Sequence, residues 1–158
     1  MTEPVSARQL LNPFCLVALG FGSGLLPVAP GTAGTLAAVP VYLLLQGLPL
    51  ASYLIVVTVL LLGGILLCGY TARRLGVHDH PAIVWDEIVG YLIAMTAVPA
   101  GWHWIVAGFA LFRFFDILKP WPIRWFDRHV HGGSGIMLDD VIAGLFAAAV
   151  LQGAAYFL

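Results

Sequence analysis

The chain has 158 residues, enough for one domain, and 61% of them are hydrophobic while only 9% are charged. A soluble domain carries roughly 25% charged residues, and a soluble fold of this length has no room to hide so much apolar surface, so the composition predicts an integral membrane protein. The formal net charge of −1, with no basic stripe, argues against a nucleic-acid partner.

The N-terminus, "MTEPVSARQLLNP", lacks a basic region followed by an apolar run and a small-residue cleavage site, so it does not read as a cleaved signal peptide. Residues 1–12 are taken as an N-terminal cytoplasmic segment of a single domain, 1–158. Phe14 to Leu26 is too short to cross a bilayer untilted and runs into "PVAPGT". It reads as a re-entrant or partly buried half-helix, which is stable only where protein or a wet cavity covers its backbone. Ala33 to Leu48 then runs outward to an external turn, "QGLPLA". Ser52 to Tyr70 is the clearest span, close to the ~20 residues a crossing needs. Arg73 and Arg74 follow it and mark that end as cytoplasmic. Cys15 and Cys68 sit inside apolar runs and are expected to be buried thiols without a disulfide.

Ile88 to Phe112 is either one kinked span or two short helices hinged at "PAGWHW". A single span would put Arg113, Lys119, Arg124 and Arg128 outside, against the positive-inside rule. It would also separate "WDE" from "FFDILK" by the whole bilayer. A hairpin is therefore expected, with Trp102 and Trp104 at the outer interface. The last helix, Ile136 to Phe157, runs outward again. The fold class is thus all-α: a polytopic membrane helical bundle with short or re-entrant helices. No internal repeat is visible, and the oligomeric state is left open.

Charge is concentrated. Seven of the eight acids lie between Asp79 and Asp140, and no charged residue occurs between Gln9 and Gly69. Four stretches carry possible chemistry, each with a plainer alternative. In "VWDEIVG", Asp86 and Glu87 open an apolar helix, where the macrodipole alone favours acids. In "FRFFDILKPWP", Arg113, Asp116 and Lys119 are spaced i, i+3, i+6, roughly on one face. That is either an ion-pair ladder ended by Pro120 and Pro122, or a carboxylate ligand flanked by two phosphate-binding cations.

In "GIMLDDVIAG", Asp139 and Asp140 stand in a helix where a mid-membrane Asp costs roughly 2.5–3.5 kcal/mol. Neighbours on a helix diverge by about 100°, so both acids can border one cleft. A divalent cation would relieve their repulsion. In "GFGSGLLPVAPGTAGT", Gly31 and Thr32 lie where a helix start and its backbone N–H groups offer an anion site, although the segment is also a break between helices. "HDHP" (His78, His80) and "HVHGG" (His129, His131) are expected to be polar loops, and Ser23 has no partner histidine.

These four stretches, in this order, resemble the phosphatidylglycerophosphatase A family. The motifs are "GSGLLPVAPGTAGT", "WDEIVG", "FRFFDILKPWPI" and "GGSGIMLDDVIAG", and the likeness covers Gly20 to Gly144. Ala33, where that family often carries an aromatic residue, is a mild departure. The resemblance implies a Mg²⁺-dependent lipid phosphatase of bacterial phospholipid synthesis that converts phosphatidylglycerophosphate to phosphatidylglycerol. It implies a multi-pass protein of the bacterial cytoplasmic (inner) membrane, with its site facing the cytoplasm.

On the residues, Asp86, Glu87, Asp116, Asp139 and Asp140 are the expected metal ligands and, with Lys119, the catalytic set. Arg113, Lys119, Thr32 and Gly31 are the expected phosphate holders. The rival from another class is a small membrane transporter or cation-binding protein, which predicts acids dispersed through the bilayer depth.

Overall fold

The structure, a computed structural model, describes Val5 and residues 7–157. Of the expected N-terminal segment 1–12, residues 1–4 and 6 lie outside the described residues. Among those described the secondary structure is entirely helical: α1 (Pro13–Ala18), α2 (Pro30–Leu45), α3 (Leu50–Leu75), α4 (Trp85–Ala94), α5 (Trp102–Leu118), α6 (Ile123–His129) and α7 (Gly132–Phe157), with 3-10 turns at Ala7–Leu11 and Gly20–Leu25. Two of these, α3 and α7, are long and apolar enough to cross a membrane, at 26 residues each.

Several boundaries differ from those read in the sequence. The stretch Phe14–Leu26 is two pieces, because Gly20, Phe21 and Gly22 all have positive φ (57°, 56° and 98°). Flanking glycines make that left-handed turn inexpensive and end the helix. Helix α2 starts at Pro30 rather than near Thr32, since a proline at the first helical position has no N–H to leave unpaired. Helix α3 extends beyond Tyr70 through Arg73 and Arg74. It stops at Gly76 (φ 71°), whose N–H caps the carbonyls of Ala72 and Arg73. Helix α7 begins a turn before Ile136, at Gly132.

The hairpin choice for Ile88–Phe112 agrees with the structure: α4 and α5 pack antiparallel, with Gly90 against Phe112 near one end and Met95 against Gly108 near the other. Trp102 is exposed, as an interfacial indole should be. Trp104 is not; it is 8% exposed and belongs to the core, which corrects the expected interface position. Two residues apart on one helix, the two indoles point about 200° apart, and only Trp102 points away from the bundle.

The bundle is organised around α7. Helix α3 runs antiparallel to it, with Gly64 beside Met137 and Gly69 beside Gly133. Helix α4 runs parallel to it, and their backbones touch: a Cβ at Gly144 would strike the Gly90 carbonyl, and one at Gly90 would lie 2.9 Å from the Asp140 carbonyl. Without a strong hydrophobic drive between helices in lipid, small residues permit this close packing. Polar cross-links add to it. The Trp85 indole donates to the Leu60 carbonyl at 3.2 Å, and the Tyr53 hydroxyl donates to the Leu92 carbonyl at 2.6 Å. Removal of the latter by Tyr53→Phe is expected to cost about 1 kcal/mol, measured as a lower thermal midpoint in detergent.

Candidate functional site

At one end of the bundle α3 and α5 finish while α2, α4 and α7 begin, and the acids gather there. Asp86 and Glu87 occupy the first turn of α4, which has no side-chain cap, so its unpaired N–H groups favour acids there. The Gly90–Gly144 contact brings this turn against Asp140. Ligand oxygens of Asp86, Glu87 and Asp140 all lie within 4.8 Å of one another, and so do those of Asp116, Asp139 and Asp140. Asp140 therefore belongs to both triads. Among the described residues these two carboxylate groups are the only such clusters of three or more potential ligands.

Burial makes this arrangement costly in isolation. Asp140 is 3% exposed and Asp86 8%. Asp86 Oδ1, Glu87 Oε2 and Asp140 Oδ2 are buried and lack a hydrogen-bond partner among the described residues. An uncompensated buried charge costs several kcal/mol. An all-oxygen donor set with orphaned lone pairs fits a hard divalent cation such as Mg²⁺.

Two cations from the chain flank the cluster. Arg113 pairs with Asp116 and lies 4.0 Å from Glu87. Its Nε is buried without a partner, which leaves donor capacity for an anion. Lys119 does not continue that helix face, as its spacing had suggested. Pro120 ends α5, and Lys119 takes a left-handed conformation (φ 43°) just beyond it. From there Nζ reaches Asp139 Oδ2 at 2.6 Å and Asp127 Oδ1 at 2.8 Å. Burial works against the ammonium charge, but Asp139 and Asp127 outweigh it and hold the pKa above the ordinary lysine range. Lys119 thus carries its positive charge directly against the Asp139 and Asp127 carboxylates.

The start of α2 completes the site. Gly31 is buried against the Glu87 carboxylate and the Arg113 guanidinium, where a Cβ would meet both. The first intrahelical bond here is from Ala33 N–H to Ala29, so the N–H groups of Gly31 and Thr32 precede the helical ladder. An α2 terminus against Arg113 supports the anion reading of the glycine-rich loop.

Of the expected site residues, Gly31, Asp86, Glu87, Arg113, Asp116, Lys119, Asp139 and Asp140 lie together, and Thr32 follows Gly31 in the first turn of α2. Asp127 was missed; it lies in a short exposed helix whose sequence, "IRWFDRH", carries no signal beyond an ordinary solvated face. Among the described residues no histidine belongs to either carboxylate group. His78 and His131 pack edge to face at 5.1 Å, and His78 Nε2 accepts from the Gly132 N–H at 2.5 Å. His80 Nδ1 accepts from the Ala82 N–H, and His129 stacks on Trp125. Ser23 Oγ donates within its own turn to Gly20. Both thiols are buried and free. Acids gathered at one level do not form the depth-spanning relay that conduction needs.

The family model described as Phosphatidylglycerophosphatase A matches residues 16–155. A protein of Escherichia coli (strain K12) named phosphatidylglycerophosphatase A is 52% identical over 147 residues, 92% of this chain and 86% of the relative. One of the same name from Haemophilus influenzae is 49% identical over 162 residues, covering 100% and 99% of the two chains. No solved structure matches the chain.

Proposed function

Because the chain belongs to the phosphatidylglycerophosphatase A family, we propose that it hydrolyses the terminal phosphomonoester of phosphatidylglycerophosphate, with Mg²⁺, to give phosphatidylglycerol and phosphate. The observation that carries this reading is the convergence of orphaned buried carboxylate oxygens, Arg113 and the α2 start at one point.

Asp86, Glu87, Asp116, Asp139 and Asp140 would hold Mg²⁺, and the two triads sharing Asp140 offer places for two ions. When bound, Mg²⁺ supplies positive charge to the phosphoryl oxygens and to the ester oxygen that leaves. Arg113 holds a phosphoryl oxygen in a fork geometry, and the N–H groups of Gly31 and Thr32 supplement it. Lys119 steadies the developing negative charge. Water attacks phosphorus directly, or an aspartate attacks and water then hydrolyses the aspartyl-phosphate. In either route a P–O bond forms as the bond from phosphorus to the glycerol oxygen breaks; that oxygen leaves as the phosphatidylglycerol hydroxyl, and water supplies its proton. A trapped aspartyl-phosphate marks the covalent route, and inversion at a chiral phosphorus marks direct attack by water.

The cations at this end (Arg73, Arg74, Arg113, Lys119, Arg124 and Arg128) support a multi-pass topology with the site facing the cytoplasm of the inner membrane. The deciding experiment is phosphate release from phosphatidylglycerophosphate by detergent-purified protein. Release is expected with Mg²⁺ and should disappear with EDTA. Failure to release phosphate with any divalent cation overturns the proposal.

A further inference from the structure

Beside the carboxylates, and sharing Lys119 with them, lies an open groove of about 340 Å³ between the end of α5 and α6. Its walls carry Lys119, Arg124 and Arg128 together with Trp121 and Trp125, and no carboxylate lines it. Arg124 and Arg128 are one helical turn apart and share a face of α6. Neither forms an ion pair with an acid among the described residues; Arg124 donates only to the Leu118 carbonyl, at 3.3 Å. Asp127, the acid next to Arg128 in the sequence, is engaged by Lys119.

Two further features point to a lipid rather than a soluble anion. Trp121 is 82% exposed and Trp125 half-exposed, and exposed indoles are enriched at the headgroup level. Phe114, Ile117 and Leu118 are exposed along one face of α5 and lead directly to Lys119. An acyl chain lying on that face would bring its headgroup to the groove.

We propose that this groove binds the phosphodiester of the lipid substrate, while the terminal phosphomonoester of the same headgroup occupies the carboxylate site. The inference rests on the phosphatase reading and deepens it. The two phosphates of such a headgroup are joined by one three-carbon glycerol. Lys119 lines the groove and also touches Asp139 at 2.6 Å, so the two sites are neighbours that one short linker can join. The groove thereby selects headgroups that carry a second phosphate inboard of the reacting one.

The test uses the full chain, metal-free, in neutral detergent micelles. It compares retention of phosphatidylglycerol (phosphodiester only), diacylglycerol (no phosphate) and a fatty acid (an anion without phosphate), read by native mass spectrometry. The wild-type chain should prefer phosphatidylglycerol over both others. The double variant Arg124→Gln/Arg128→Gln should lose that preference by about tenfold or more. Under turnover, its loss should fall on KM for phosphatidylglycerophosphate rather than on kcat.

Equal retention of the fatty acid, an unchanged preference in the variant, or a loss confined to kcat overturns the proposal. A wild-type chain that prefers phosphatidylglycerol yet releases no phosphate would instead indict the phosphatase reading, which keeps the two failures distinct. Native-like thermal midpoints in the variant, whose changes are at exposed positions, check that it folds.

Discussion

Asp140→Asn should reduce phosphate release by about 10²–10³-fold while leaving membrane insertion and thermal midpoint close to wild type. Asn preserves the size of the side chain and removes only its charge. That charge is placed where it matters most, since Asp140 is the one carboxylate within 4.8 Å of both other pairs. Its neutralisation weakens both triads together, and the loss of one preorganised charge at such a centre is typically worth 10²–10³. Binding of Mn²⁺, followed by electron paramagnetic resonance, should weaken in parallel, which separates a ligand from a merely structural acid. Asp127→Asn gives the contrast. It leaves Lys119 its bond to Asp139, so its cost should stay below tenfold. Retained activity in Asp140→Asn would remove the shared-ligand role.

Gly144→Ala should be more damaging than the addition of one methyl suggests. Its Cβ would meet the Gly90 carbonyl and, at 3.1 Å, Ile93 Cβ. Backbone cannot swing aside as a side chain can, so α4 and α7 must separate. Overpacking of this kind costs about 1–3 kcal/mol. Asp86 and Glu87 lie one turn before Gly90, and Asp140 one turn before Gly144, so the same separation pulls the carboxylates apart. Stability and activity should therefore fall together, measured as thermal midpoint and phosphate release on the same preparation. By comparison, Gly153→Ala, which meets nothing within 4 Å, should change neither. A stable but inactive Gly144→Ala would show that the site tolerates no shift; a stable, active one would show that the seam is not close-packed.

Much of this was legible in the sequence because charged residues are so rare in an apolar chain. Each acid inside an apolar run carries a large desolvation cost, so Asp86, Glu87, Asp116, Asp139 and Asp140 stood out against their surroundings. The positive-inside rule then chose the α4–α5 hairpin, and that choice alone brought "WDE" and "FFDILK" to the same end. Other features were not readable. The divergence of Lys119 from Arg113 depends on the left-handed residue before Pro120, whereas helical spacing placed them on one face. The burial of Trp104 depends on which side of α5 meets α7 and the end of α4. Asp127 looks like any exposed acid until Lys119 reaches across to it. The glycine-rich stretch from Gly20 reads as a break between helices, but that it divides Phe14–Leu26 through three successive positive φ values, one of them at a phenylalanine, was not readable.

The length of α7 has a consequence for where the reaction takes place. Its 26 residues rise about 39 Å, more than the ~30 Å of hydrocarbon in a bilayer. The 18 residues from Asp140 to Phe157 rise about 27 Å, which nearly matches that thickness by itself. On the proposed topology, with Phe157 at the far boundary, Asp140 would mark the near one, and the first eight residues of α7 would stand in the headgroup layer as a rim. The helix then works as a depth gauge. A phosphate reaches the carboxylates only when it can bend down to the edge of the hydrocarbon, as one on a short flexible arm anchored by acyl chains can. A water-soluble phosphomonoester has no such tether, and at equal bulk concentration it should meet this site far less often than its lipid counterpart.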